Sequence, residues 1–440
     1  LFPETTTSFK ADSAYNSKRA KLAWYNIDPV FQSKSNLTPA NINTLQQSNH
    51  WVRTVTLKEL FDEIELQQGQ PQQLPTLDLS YYPDERGQYN YNSQNMEADG
   101  TLNNPKENWA GIMRRIETND FEATNIDYIE VWLMDPFVYS KHQGTKHNTG
   151  QLYINLGSVS EDIIPDRKRS AENGLPVPNG NYTVDSGKYA LTPRGQIINK
   201  AFDNDPAART AQDIGLDGMS DEVERTRLKF YLDGIAAKHG TASLAYKIAE
   251  ADPSADNYLY PRDPVYDGSN AMVLQRYKNY NGFEGNSTVD KLADGTPKSA
   301  NTIPDDEDIN QDYTVNLNEE YYQYKIEISP DKLRIGENFV TDSIFTDANQ
   351  IDPGAEPNKI TWYQLKIPIR QYEKKVGGIQ DFKSIRFMRM YVSGFEDSLV
   401  LRFGNLQLVR ADWRRYLNTL KFPPRVGPAI DPNDRTELVV

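Results

Sequence analysis

The feature that most limits what this chain can fold into is an internal repeat of strand-like segments. In the first copy, Trp109 with Ile112 and Ile116 leads through Phe121 to Ile126-Asp-Tyr-Ile-Glu-Val-Trp-Leu133, and then past a Gly-containing loop to Leu152-Tyr-Ile-Asn-Leu-Gly157. In the second, Trp362 with Leu365 and Ile369 leads through Phe382 to Ile385-Arg-Phe-Met-Arg-Met-Tyr-Val392 and on to Leu399-Val-Leu-Arg-Phe-Gly404. β-Branched and aromatic residues dominate both copies, and their last segments align without a gap, so each reads as strands of a buried sheet. With Gly-bounded turns and no helix between the strands, the expectation is two related jelly-roll-like antiparallel β-sandwich units. Superposing the copies places Ile129, Val131 and Leu133 on Met388, Met390 and Val392, which predicts that both triplets face a core. The opposite face aligns Tyr128, Glu130 and Trp132 with Phe387, Arg389 and Tyr391. Aromatics flanking opposite charges predict that Glu130 and Arg389 are partly buried and paired, with the two meeting each other as a structural ion pair.

Around these units the character of the chain changes. Residues 1–80 are rich in Asn, Gln, Ser and Pro with short apolar runs, and read as an extended N-terminal segment. Residues 81–190 hold the first β-unit and 301–417 the second. Between them, 191–300 read as an α-rich insertion: a helix over 220–239 that opens on Ser220 and acids and closes on Lys238, His239 and Gly240, a shorter one over 241–251 stopped by Pro253, and a third over 269–281. Residues 418–440, with Pro423, Pro424 and Pro432, read as an extended linker. The overall fold class is therefore mainly β with a helical insertion.

Composition removes several functions. Lys plus Arg is 48 and Asp plus Glu is 62, a net charge of 48 − 62 = −14, and no basic cluster offers itself to nucleic acid. Mean hydropathy is −0.72, yet 11% of residues are aromatic, led by 26 Tyr, which marks a folded chain with a polar surface. No run of 18 apolar residues is present for a transmembrane helix. There is no Cys, hence no disulfide, Cys-zinc site or thiol nucleophile. The opening Leu1-Phe2-Pro3-Glu4 is neither Met nor a leader, as expected of an excised piece.

Two acidic stretches are candidate calcium sites. Asp213, Asp217, Gly218, Asp221 and Glu224 occupy positions 1, 5, 6, 9 and 12 of an EF-hand-like loop directly before a helix, with the Met219 carbonyl available as a further ligand. Position 3 is Gly215, which removes one oxygen; the alternative is a turn whose acids favour a helix N-terminus. In the second stretch Asp306, Asp308 and Asn310 alternate like calcium ligands, without the Gly and Glu that complete such a loop. No catalytic set emerges. His142 and His147 do not have zinc-helix spacing, no nucleophile elbow or phosphate loop is present, and Glu130 and Asp135 lie five apart on a strand, on opposite faces, where they could not act together on one sugar. Tyr128 and Trp132 could instead form the stacking platform of a cell-surface carbohydrate-binding module, against the plainer reading that they are core.

Longer stretches carry a family resemblance. Lys18-Arg-Ala-Lys-Leu-Ala-Trp-Tyr-Asn-Ile-Asp-Pro29, Glu85-Arg-Gly-Gln-Tyr-Asn90, Asn108-Trp-Ala-Gly-Ile-Met-Arg114, Asn119-Asp-Phe-Glu-Ala-Thr-Asn125 and Trp132-Leu-Met-Asp-Pro-Phe137 resemble the SprA/Sov family, the outer-membrane translocon of the Bacteroidetes type IX secretion system, also tied to gliding motility. Gly215-Leu-Asp-Gly-Met-Ser-Asp-Glu222, Tyr277-Lys-Asn-Tyr-Asn-Gly-Phe-Glu-Gly-Asn286, Pro304-Asp-Asp-Glu-Asp-Ile-Asn310, Ser384-Ile-Arg-Phe-Met-Arg-Met390 and Trp413-Arg-Arg-Tyr416 are similar to the same family. Gln88 and Phe283 depart from its pattern, in which Pro is usual at both places. The resemblance implies a far longer protein forming a giant single-chain β-barrel through which folded cargo crosses the outer membrane. Its partners would be the rest of that barrel, a PorV-like outer-membrane protein and secreted cargo. This piece lacks the recurring ten-residue alternation of barrel wall, so it is expected to be a soluble, structural region on the extracellular or, alternatively, periplasmic side.

Overall fold

The computed structural model describes residues 16–65, 72–164, 166–173, 175, 184–194, 201–202, 212–280, 303–348 and 350–411. Thirteen strands run in chain order: β1 (Ala20–Tyr25), β2 (Thr76–Arg86), β3 (Trp109–Arg115), β4 (Ile126–Met134), β5 (Gly150–Ser158), β6 (Val184–Ser186), β7 (Leu191–Pro193), β8 (Glu320–Ile328), β9 (Val340–Asp347), β10 (Lys359–Pro368), β11 (Lys374–Val376), β12 (Phe387–Ser393) and β13 (Leu399–Arg410). All strand ladders are antiparallel. Eleven strands form two sheets, one ordered β1-β2-β13-β4-β10-β9 and one β11-β8-β5-β12-β3, while β6 and β7 make a separate hairpin. Alternate residues of both large sheets meet in one core: Leu79, Leu133, Leu365 and Leu401 from the first, Leu152, Ile154, Ile326 and Met390 from the second. The mainly antiparallel β-sandwich is as expected, and the described strands close into no barrel.

The repeat is real, but its copies are not two separate sandwiches. β3, β4 and β5 correspond to β10, β12 and β13. The row β13-β4-β10 in one sheet is matched by β5-β12-β3 in the other, and β2 beside β13 is matched by β8 beside β5. Each copy thus supplies the middle strand of one sheet and both flanking strands of the other. A single copy would leave every one of its strands without its neighbours, which is why two halves merge into one sandwich. The registers differ between the halves. Leu156 lies opposite Met388, whereas its counterpart Phe403 lies opposite Leu133 instead of Ile129. The slide is even in residues, so inward faces stay inward. Ile129, Val131, Leu133, Met388, Met390 and Val392 all belong to the shared core, as the superposition predicts.

The same interleaving separates the expected ion pair. β4 and β12 sit in different sheets, and their outward faces lie on opposite sides of a sandwich roughly 10 Å thick between sheets. Glu130, half-buried, accepts from Gln407 Nε2 on β13 at 3.1 Å. Arg389 is buried and forms a bidentate pair with Glu319, 3.1 Å for each bond, under the face of Tyr321. Trp132 is also no platform. It is buried with Val55, Leu60, Met134 and Trp362, and Phe61 packs edge-on against its ring. Tyr128 meets the Lys366 ammonium at 4.6 Å from its ring centre. The N-terminal segment causes that burial: beyond β1 it folds as short helical turns at Pro29–Gln32, Thr44–Gln47 and Leu57–Leu60 and covers the outer face of the six-stranded sheet.

The insertion is helical as expected, with shorter helices. The long one divides into Asp221–Arg227 and Lys229–His239, parted at Leu228, whose φ and ψ of −91° and 18° leave the helical range. Leu244–Ala251 is capped by the Ser243 side chain accepting from Tyr246 N–H. Pro264–Gly268 and Val273–Tyr277 replace the third. Tyr231, Leu232, Ile235, Ala245 and Ala249 enter the sandwich core, so the insertion is fastened to it and has no isolated interior. The linker expected over 418–440 lies outside the described residues.

Candidate functional site

A group of carboxylates forms where the insertion meets the sandwich. Helix Asp221–Arg227 carries Asp221 and Glu224 three residues apart, on one face. The preceding turn, closed by Gly218 N–H on Gly215 C=O at 3.0 Å, delivers Asp217. Gly215 is required there: its φ is +103°, and a Cβ would stand 2.2 Å from Asp256 Oδ2. After helix Leu244–Ala251 the chain curls back through Asp252-Pro-Ser-Ala-Asp256. Ser254 N–H donates to Glu224 Oε2 at 3.0 Å, and Ser254 Oγ to Asp217 Oδ2 at 2.7 Å. Tyr89, from the loop after β2, donates its hydroxyl to Asp256 Oδ2 at 3.1 Å and accepts Leu216 N–H at 3.2 Å. Arg86 reaches the region but spends its donors on the Asp252 and Pro253 carbonyls.

Asp217, Glu224 and Asp256 are all buried, and each offers an oxygen within 4.8 Å of the others; Asp221, Glu224 and Asp252 form an overlapping set nearer the surface. Among the described residues the group's carboxylates form one ion pair, Arg225 with the outer Asp221 at 3.8 Å. Burial is the first cause of the charge imbalance felt here. It pushes Asp217 up to about 7 against the bonds from Ser254 and Met219, and Glu224 up to about 9 with help from Asp217 and Asp252. Asp256 is raised well above the usual carboxylate range by burial, then by Asp217 and Glu224. Such a set must bind protons or a cation near neutral pH, and oxygen-only donors suit a hard ion such as calcium.

Three expected ligands, Asp217, Asp221 and Glu224, are therefore brought together, but not as an EF-hand loop. Asp213 is buried outside the group, because the Gly215–Gly218 turn reverses the chain between it and Asp217. Met219 meets Asp217 through its N–H, at 2.9 Å. Asp252 and Asp256 went unseen in the sequence, where Pro253 reads only as a helix stop; separations of 28 and 32 residues from Glu224 give no spacing signal. The second acidic stretch already has partners from within the chain. Arg169 binds Asp306 through two nitrogens and lies 3.6 Å from Asp308. Asp308 accepts Asp312 and Tyr313 N–H, and Asn310 Oδ1 accepts Asp312 N–H. An arginine thus stands where a cation was expected.

Stretches quoted for the family resemblance converge here: Arg86 and Tyr89 from one, Gly215 to Asp221 from another. A family model described as SprA_N, motility related/secretion protein, matches residues 230–437. This match supports membership of the SprA/Sov family. No curated protein matches it. The matched stretch holds β8 to β13, strands of both sheets that pair with β2, β3, β4 and β5 from outside it, so both halves form one structural unit. The matched model indicates a motility- and secretion-related protein, and no described helix is long and apolar enough to cross a membrane.

Proposed function

We propose that this chain is a structural, non-catalytic region of the type IX secretion translocon, a cap or pore-lining element that contacts the outer-membrane barrel, a PorV-like partner and passing cargo. The SprA_N match carries the reading. The sandwich supports it: the inward faces of both sheets pack against each other in one core and the described strands close into no barrel, so the region serves as a rigid body attached to a barrel and not as its wall. Long inter-strand regions of outer-membrane barrels face outward, which favours the extracellular side. A carbohydrate-binding role has lost its platform with the burial of Trp132. Protease or antibody accessibility of this region on intact cells tests the placement; access is expected, and protection until the outer membrane is permeabilised would overturn it.

A further inference from the structure

One edge of the sandwich is open in a specific way. β3 ends the five-stranded sheet and pairs only with β12. Its first residue is closed off by the N-terminal segment, with Trp109 N–H on Lys18 C=O at 3.1 Å and a parallel bridge from Arg19. Ile116 N–H donates the other way, to Arg386 C=O on the β12 side. Strand alternation then turns the N–H and C=O groups of Gly111 and Met113 away from β12, to the side where no described residue bonds to them. Along this edge runs a cavity of about 520 Å³.

The cavity has walls on both faces of the sheet. On the inner side are Leu22 and Trp24 of β1 with Met390 of β12; on the outer side are Met113, Ile163 and Ile309. A strand laid beside β3 would thus find backbone partners along its length and an apolar surface for side chains pointing either way. Arg19 and Arg114 line the same cavity, one beside each end of β3, and neither side chain has a partner among the described residues. The cavity's other charged residues are Arg389, already paired with Glu319, and the buried Asp162, so in a chain of net charge −14 the two cations at the ends of β3 mark the sign of what would fit there.

We propose that this slot accepts an extended segment of another polypeptide by strand addition to β3, with apolar residues at alternate positions and carboxylates toward its ends for Arg19 and Arg114. The proposal deepens the reading above and depends on it only for where such a segment comes from. Its test uses the 440-residue chain and the acetylated, amidated peptide Glu-Val-Thr-Val-Thr-Val-Glu, matched to the seven residues of β3. Peptide is expected to slow hydrogen exchange at the Gly111 and Met113 amides. A version with Lys for both Glu should bind about tenfold more weakly, a difference of about 1.4 kcal/mol. A version with Pro for the central Val, which lacks that donor, should not bind. The surface double variant Arg19→Glu, Arg114→Glu should reverse the preference between the Glu and Lys peptides. The proposal is overturned if the peptide leaves exchange unchanged at millimolar concentration, if charge reversal leaves the preference as it was, or if both amides are already protected in the chain alone, since the edge would then be covered from within. None of these results bears on accessibility at the cell surface, so the two readings fail separately.

Discussion

The molecule buries charge in two places and treats it oppositely. Under the N-terminal cover of the six-stranded sheet, Arg53 grips Glu59 at 2.7 and 2.5 Å, Glu59 also accepts Trp362 Nε1 at 2.9 Å, and Arg402 lies 3.1 Å from Asp78. His50 lies between them, accepting from Arg53 Nε on Nδ1 and using Nε2 toward the Pro357 carbonyl; burial, then Arg53, pushes it down to about 4, so it is neutral. Two cations meet two anions. In the carboxylate group of the insertion, the three buried acids Asp217, Glu224 and Asp256 form no ion pair with a described Lys or Arg. Both clusters lie where a loop region packs on the sandwich. The first is a balanced structural network; the second has carboxyls raised by burial, and its balance calls for protons or a cation.

The largest test removes the balance. Arg402→Met leaves Asp78 buried beside no cation, in a place where burial raises it to about 6 even with Arg402 present. A loss of about 3–5 kcal/mol in denaturant unfolding is expected, and the pair Arg402→Met, Asp78→Leu should recover most of it. If the single variant costs under about 1 kcal/mol, the network is not the structural element described.

The second test uses pH. Asp217 and Glu224 have folded values raised to about 7 and about 9, above their unfolded values near 4, so their protonated forms favour folding. Their contribution is complete below the unfolded values and is lost as pH rises through the folded ones. Stability should therefore fall from about pH 5 toward pH 9, with Asp217 contributing up to about pH 7 and Glu224 up to about pH 9, by up to about 1.4 kcal/mol per pH unit for each proton released on unfolding. Glu224→Gln, which is neutral at every pH, should flatten that fall; an unchanged slope would show that these acids do not control it.

Calcium should compete with those protons. With a dissociation constant on the order of 10⁻⁴–10⁻³ M, 10 mM calcium at pH 8 is expected to stabilise the wild type by about 1–3 kcal/mol and to do much less for Asp217→Asn. No shift in the thermal midpoint would leave protons alone as the compensating charge. The smallest effect is at the surface. Glu396 accepts from Lys106 and Lys146 in full solvent, and Glu396→Gln should leave the thermal midpoint unchanged at physiological salt.

Much of the chain was legible without coordinates, for local reasons. Alternation in Ile129-x-Val131-x-Leu133 and Met388-x-Met390-x-Val392 determined which faces are apolar, because side chains on a strand repeat every two residues whatever the partner. Ser220, Lys238 and Gly240 bracketed the helical insertion, because caps and end charges act within a turn. The spacing of Asp217, Asp221 and Glu224 pointed at a real convergence of carboxylates.

What could not be read locally was partnership. Nothing in either repeat says whether β4 pairs with strands of its own copy or with β10 and β13; only packing of all strands around one core decides that, and the decision placed Glu130 and Arg389 on opposite sides of the molecule. Trp132 looked as available as Tyr128 until residues 43–61 folded over it. Asp252 and Asp256 joined Glu224 because the loop after helix Leu244–Ala251 turns back on the preceding one, a contact set by tertiary packing. Local pattern, then, determined the elements and their apolar faces, since these follow from backbone geometry. Tertiary structure alone chose which buried charges found partners, since desolvation and pairing depend on residues that the chain brings together from far apart.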